Sequence, residues 1–199
     1  MGQQKNSFTQ VFGNADEPAK PIQFNEQFLE EDWKWRQQTM NAGWFLGRYF
    51  YLLGEGMKRF NPCLEAWSFI LPPVKERRII GYNVYGALLI MENETEEGIV
   101  APIRLLDPTN VVYWQSNECV YGTLLTRWLP DKLIPNFFNT GVYKQWLEKS
   151  ERFLDDDEIL GIRSAIPLGG IMNLENFTPM NIVNYYQATG TAYAKAYKE

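Results

Sequence analysis

The sequence predicts an α+β fold in which helices pack against one central, mainly antiparallel sheet within a single domain. Strand-like patterns occupy the middle of the chain, and helical patterns lie on both sides of it. The length of 199 residues suits one hydrophobic core rather than two full domains. Because 45% of the residues are hydrophobic and 15% are aromatic, the composition is that of a folded chain and not of a disordered one.

The strand prediction depends on apolar runs separated by turn residues between about residues 78 and 114. The runs cover residues 78–83, 87–91, 99–106 and 111–114. Tyr85-Gly86 separates the first two, and Asp107-Pro108-Thr109-Asn110 separates the last two. We therefore expect a meander of antiparallel strands. Gly86, and Gly169 further along, should occupy positions that do not tolerate a side chain, through a positive φ or close backbone packing.

Helical spacing of apolar residues predicts the elements on either side of the meander. Before it, the pattern indicates helices from Asn25 to about Met40 and over Leu64–Leu71. After it, helical faces are formed by Leu124, Leu125 and Trp128 and by Val142, Trp146 and Leu147. A buried strand is expected over residues 160–167. The last helix is expected to begin with Thr178 as its cap and Pro179 at its first position.

The remaining segments are a polar N-terminus and an apolar stretch. Residues 1–21 read as a flexible N-terminal arm, which leaves residues 22–199 as the α+β domain. The stretch Trp44–Leu53 is apolar on both faces. Its periodicity leaves open whether it is a buried helix end or a strand.

The charge and cysteine content indicate a cytoplasmic protein with a basic partner. The net charge is −5, from 19 Lys and Arg against 24 Asp and Glu, which disfavours direct binding to nucleic acid. An acidic surface instead suits a basic protein. The two cysteines fit a reducing compartment, and the N-terminus lacks the apolar run of a secretory signal. We expect no membrane association.

The residue content also disfavours an enzyme. The chain has no histidine, which removes the commonest general base and the commonest metal ligand. No glycine-rich phosphate loop is present. We therefore expect no catalytic residue, cofactor or metal. Catalysis by two carboxylates stays open as an alternative, because acid and base can both be Asp or Glu.

Two acidic clusters and a pair of tryptophans are the candidate partner-binding residues. The clusters are Glu92, Glu94, Glu96 and Glu97, and Asp155, Asp156, Asp157 and Glu158, the second placed near an expected helix start. Each is either a solvated turn or a patch that docks a basic partner. Trp33 and Trp35 cannot both face the core of one helix, so one of them is a candidate interface anchor.

Several motifs, in this order, resemble the GAD-like domain and the C-terminal domain of type VI secretion immunity proteins. They span about residues 24–197 and are Gly43–Tyr51 leading to Arg59-Phe60-Asn61-Pro62, Ile80–Leu89, Leu105-Leu106-Asp107-Pro108, and Ile166–Gly170 followed by Asn173-Leu174. The N-terminal helical part is shorter here than in that family. The resemblance implies an α+β antidote that binds a toxic effector, often a nuclease, and carries over no catalytic residue.

The leading hypothesis is therefore an immunity protein that binds and neutralises a cognate type VI secretion toxin in the cytoplasm. A nuclease toxin has a basic nucleic-acid cleft, which an acidic inhibitor would complement. Two alternatives remain open. One is a carboxylate-based enzyme or a ligand-binding domain, and the other is a phage or assembly structural protein.

Overall fold

Seven antiparallel strands form the main sheet, and each pairs with its neighbours in the chain. The computed structural model describes residues 8–22, 42–93 and 102–196. The strands are β1 (Glu17–Ala19), β2 (Ala42–Phe45), β3 (Phe50–Leu52), β4 (Glu76–Asn83), β5 (Leu88–Asn93), β6 (Ile103–Asp107) and β7 (Val112–Trp114). A second sheet pairs β8 (Glu158–Ile162) with β9 (Phe177–Asn181). The α+β class and the antiparallel meander over residues 78–114 are confirmed.

Five helices accompany the two sheets in the described part of the chain. They are α1 (Phe8–Phe12), α2 (Asn61–Ala66), α3 (Tyr121–Thr123, continued by a π-helical turn over Leu124–Trp128), α4 (Gly141–Ser150) and α5 (Ile182–Ala196). No helix among these residues is both long enough and apolar enough to cross a membrane. The helix predicted over 25–40, with Trp33 and Trp35, lies outside the described residues, and so do Glu94, Glu96 and Glu97.

The predicted N-terminal arm is wrong for residues 8–19. Phe8 and Phe12 are buried, and their rings lie 4.9 Å from Phe45 and 5.4 Å from Phe50. The two phenylalanines are one helical turn apart, so one face of α1 covers the sheet. β1 then pairs with β2 at the sheet edge. Long-range packing of two aromatic side chains orders a segment whose composition is otherwise polar.

The start of the last helix was also predicted wrongly. Residues 177–181 form β9 instead of the first helical turn, and α5 begins at Ile182. Asn181 Oδ1 accepts a hydrogen bond from the Asn184 amide at 3.1 Å, which is the capping contact predicted for Thr178. Pairing with β8 extends this segment and overrides the local preference of Thr178 and Pro179.

Other boundaries differ from the pattern-based expectations by a few residues. The apolar stretch after Gly43 is a hairpin of β2 and β3. Of the two structures that its periodicity left open, a helix end or a strand, it therefore forms strands. The helix expected over Leu64–Leu71 begins and ends earlier, at Asn61–Ala66, with Pro62 in its first turn. The buried strand expected over 160–167 is β8, and residues 166–168 form a 3₁₀ turn.

The glycine predictions are confirmed. Gly86 has φ of 79° in the β4–β5 turn, and a Cβ there would lie 2.7 Å from Ile159 Cδ1. Gly169 has φ of 87°, although the space around it is open. Of these two glycines, only Gly86 has both a backbone conformation and a packing contact that exclude a side chain.

The two sheets and the last helix share one core. The Leu160 amide donates to the Val84 carbonyl at 2.7 Å, which joins β8 to the β4–β5 turn. The Trp67 indole, buried after α2, donates to the Tyr186 carbonyl of α5 at 3.1 Å. A Cβ on Gly190 would come within 2.3 Å of the Ala66 carbonyl, so glycine allows α5 to pack directly against α2.

Candidate partner-binding surface

The predicted acidic cluster Asp155–Glu158, here called the acidic turn, is in the described structure, but not at a helix start. It leads into a strand, since Glu158 is the first residue of β8. The Asp157 carbonyl accepts the Ile182 amide at 2.8 Å, so the turn also fixes the beginning of α5. The sequence suggested that a helix begins near the turn and explains its charge, but the last residue of the turn begins a strand. Arginine side chains from distant segments pair with this charge instead.

Arg48 from the β2–β3 turn binds the centre of the acidic turn. Its Nη2 lies 2.6 Å from Asp156 Oδ1, and its Nη1 lies 2.9 Å from Glu17 Oε2 in β1. The Trp44 indole also donates to Asp156 Oδ1, at 3.1 Å, and the Arg48 guanidinium lies over the Trp44 ring. Because one carboxylate accepts from two fixed donors, the position of Asp156 is closely defined.

Arg59 holds the neighbouring residue of the acidic turn. Its Nε lies 2.9 Å from Asp157 Oδ1. The backbone is held as well, since the Tyr82 hydroxyl of β4 donates to the Asp156 carbonyl at 2.6 Å. The Asp156 and Asp157 side chains nevertheless stay 64% and 56% exposed. They are ordered by the fold but still face solvent.

The β2–β3 turn that carries Arg48 has an unusual backbone. Leu46, Gly47 and Arg48 all have positive φ, between 56° and 64°. For residues other than glycine this conformation costs about 1–2 kcal/mol each. Two contacts stabilise it: the Gly47 amide donates to Asp16 Oδ2 at 2.7 Å, and the Tyr143 hydroxyl donates to the Gly47 carbonyl at 2.9 Å. The strained turn directs Arg48 to Asp156.

The two ends of the acidic turn differ in their contacts. Glu158 accepts hydrogen bonds from both Nη atoms of Arg152, and these bonds lower the pKa of its carboxyl group. The Asp155 carboxylate is exposed and makes no hydrogen bond or ion pair within the described residues. Phe153, two residues earlier, is 49% exposed. Exposed aromatic side chains are enriched at protein interfaces.

Glu92, from the other predicted cluster, is not a surface residue, and its assignment to partner binding is wrong. Its side chain is 1% exposed in β5. Glu92 Oε1 lies 2.6 Å from Arg77 Nε, and Oε2 lies 3.4 Å from Arg104 Nε. A buried carboxylate needs such partners, and cross-strand neighbours provide them. Glu92 therefore belongs to the sheet interior.

The acidic turn and the β2–β3 turn together form a surface on which carboxylates outnumber guanidinium groups. The carboxylates are those of Asp16, Glu17, Asp155, Asp156, Asp157 and Glu158, against Arg48, Arg59 and Arg152. Each arginine is committed to an ion pair, so the uncompensated charge is negative. Within residues 8–22, 42–93 and 102–196, no three metal-ligating side chains converge. The arrangement is suited to contact with a basic surface.

Sequence reasoning found the acidic turn but not its arginines. Arg48 and Asp156 are 108 positions apart, so no local pattern joins them. One signal was present, because Arg48 is a lone charge inside the apolar stretch Trp44–Leu53. A charge in a buried hairpin needs a partner, although the sequence does not say which.

Comparison with known proteins establishes the fold only. No family model matches this chain, and no curated protein matches it in sequence. Its structure is similar to the crystal structure of Atu4351 from Agrobacterium tumefaciens, with a TM-score of 0.59 and 13% identity. The match covers 92% of this chain and 87% of that chain, so the two proteins share a fold over most of their length.

Proposed function

We propose that this chain is an immunity protein, which binds and neutralises a cognate type VI secretion toxin in the cytoplasm and is not itself an enzyme. The motif resemblance suggests this class, and the acidic surface is the observation that supports it best. A toxin that cuts nucleic acid has a basic cleft, to which this surface is complementary in charge. The proposed partner is therefore a basic effector protein.

The fixed positions of the side chains on this surface favour a role in binding over that of a solvated turn. Arg48 and Arg59 hold Asp156 and Asp157 in place before any partner arrives. Each side chain that is already fixed saves about 0.5–1.5 kcal/mol of ordering cost at an interface. Two residues of this surface can contact a partner directly. Asp155 supplies negative charge and Phe153 supplies apolar area, since neither the Asp155 carboxylate nor the exposed half of Phe153 has a partner in the described structure.

The experiment that tests this function is co-expression with the product of the adjacent gene. We expect the two proteins to co-purify, and we expect this chain to restore growth of cells that the neighbouring product kills. Asp155→Lys should weaken both effects, because it reverses a charge with no intramolecular ion pair. Asp131→Lys is the matched control, since Asp131 is also exposed and unpaired among the described residues.

The outcomes separate the proposal from its alternatives. A neighbouring product that is harmless, or that kills cells despite this chain, contradicts the immunity function. Assembly of the chain into particles with that product would favour the structural alternative instead. Equal protection by wild type and Asp155→Lys, with binding intact, would exclude the acidic turn as the docking surface while leaving the function standing.

A further inference from the structure

A polar pocket lies at the end of the sheet where two hairpin turns meet. It is bounded by the β4–β5 turn, the β6–β7 turn and the loops around residues 136–139 and 166–172. Its volume is about 80 Å³, several times the space that one water molecule needs. The polar side chains that line it include Asn83, Asp107, Thr109, Asn110, Asn136 and Asn139. This pocket is separate from the residues of the acidic turn.

The charged group of the pocket is the carboxylate of Asp107. The residue is only 5% exposed. Its Oδ1 accepts the Thr109 and Asn110 amides at 2.9 and 3.2 Å, and its Oδ2 accepts the Asn110 side-chain amide at 2.6 Å. A carboxylate can accept about four hydrogen bonds, so one position on Oδ2 remains. No Lys or Arg of the described residues forms an ion pair with Asp107.

Among the residues that the structure describes, this buried carboxylate has no counter-charge, although such groups usually have one. Burial raises the pKa of Asp107, and the three hydrogen bonds only partly offset that effect. Elsewhere in the same sheet, buried Glu92 has two arginine partners. Buried charges in proteins are normally paired with opposite charge. Asp107 therefore differs from Glu92 in leaving room for a cation from outside the described fold.

A second group in the pocket also lacks a partner. Thr109 is 3% exposed, and its hydroxyl makes no hydrogen bond within the described structure. Leaving a buried hydroxyl unpaired costs about 1–3 kcal/mol. Its backbone, by contrast, is fully used, since the amide donates to Asp107 and the carbonyl accepts the Ile166 amide at 3.0 Å. The hydroxyl oxygen is itself closed to solvent, so a bound molecule does not contact it directly.

We infer that this pocket binds a small organic cation, an ammonium or guanidinium head group, with the Asp107 carboxylate as the counter-charge. The carboxamides of Asn136 and Asn139, exposed at the rim, supply further acceptors. Such a head group occurs on free amines and on the Lys or Arg side chains of a bound protein. The recognition chemistry is the same for both sources.

The inference is tested by an amide NMR titration of the full chain at pH 7. The probe is methylguanidinium chloride, and tetramethylammonium chloride is the control, because it has the same charge but no N–H donor. We expect saturable shifts at the Thr109 and Asn110 amides with methylguanidinium only. Nα-acetyl-arginine methylamide serves as a second probe, and its binding would identify a protein side chain as the better source.

Matched variants make the test specific. Thr109→Val keeps the shape and removes a hydroxyl that is closed to the ligand, so affinity should not change. Asp107→Asn keeps an acceptor for the turn amides and removes the charge, so affinity should fall about tenfold or more. Asp131→Asn, an exposed carboxylate in another loop, should change nothing. Absence of saturable shifts in wild type, or equal affinity in wild type and Asp107→Asn, would overturn the inference and leave a pocket that holds water.

Discussion

Replacing Glu92 by glutamine removes a buried negative charge that contacts two arginine side chains. Glu92 lies in β5 between Arg77 of β4 and Arg104 of β6, and its side chain is 1% exposed. Glutamine has nearly the same shape, so packing is kept while the charge is lost. Arg104, whose side chain is 3% exposed, then loses its contact with the Glu92 carboxylate.

The expected cost follows from that burial. Breaking a buried ion pair by removing one member typically costs 3–5 kcal/mol of unfolding free energy. Glutamine keeps one oxygen that can accept from Arg77 or Arg104, so we place the loss near the lower end, at about 3 kcal/mol. The Arg78–Glu76 pair on the same strand β4 has a similar distance of 2.7 Å, but its side chains are 29% and 40% exposed. Glu76→Gln should therefore cost at most about 1 kcal/mol.

Urea unfolding of wild type, Glu92→Gln and Glu76→Gln measures both losses. The dependence of unfolding free energy on urea should be the same in all three proteins, because the surface exposed on unfolding does not change. If Glu92→Gln loses no more stability than Glu76→Gln, the reasoning that makes Glu92 a structural residue is refuted.

Two further predictions concern the core. Gly86→Ala should lose more unfolding free energy than Gly169→Ala in the same assay. Both variants lose about 1–2 kcal/mol because the residue has a positive φ, but only at Gly86 does the new Cβ meet Ile159. Equal losses in the two variants would contradict this prediction. Burial raises the pKa of Cys63 and of Cys119 to about 12, so both thiols should resist a thiol reagent at pH 8 until the protein unfolds. Labelling of either cysteine in the native protein faster than global unfolding would show that its burial is overstated.

The local sequence pattern predicted the structure correctly where residues that are neighbours in sequence are also neighbours in space. The meander over 78–114 is such a region, since each strand pairs with the next one along the chain. Tyr85-Gly86 and Asp107–Asn110 are the turns that the sequence indicated, and Gly86 has the backbone conformation expected of it. The antiparallel sheet of the predicted fold class followed from this region.

The local sequence pattern gave a wrong prediction where contacts with a distant segment determine the local structure. Thr178 and Pro179 have the character of a helix start, but pairing with β8 makes them part of a strand. Glu92 sits beside a run of acidic residues in the sequence and resembled a solvated turn, whereas neighbouring strands provide the arginines that bury it. The acidic turn was found by its composition. Its contacts with Arg48 and Arg59 depend on tertiary structure and were not predictable.

The central claim is that the acidic surface guides a basic partner, and the association rate with the product of the adjacent gene tests it most directly. Asp155 is the residue to change, because Asp156 and Asp157 also hold the fold together through Arg48 and Arg59. Unit charges about 4–8 Å apart in water interact by about 0.5–1 kcal/mol. Neutralising Asp155 should therefore slow association about twofold to sixfold at low ionic strength.

Stopped-flow association of wild type, Asp155→Asn and Asp131→Asn at low and at physiological salt gives the answer. The account predicts that Asp155→Asn is slower than the other two at low salt, and that the three rates converge as salt screens the charge. The melting temperatures should stay equal, since the Asp155 carboxylate has no ion pair in the described structure. Equal association rates of wild type and Asp155→Asn at low salt would contradict the account.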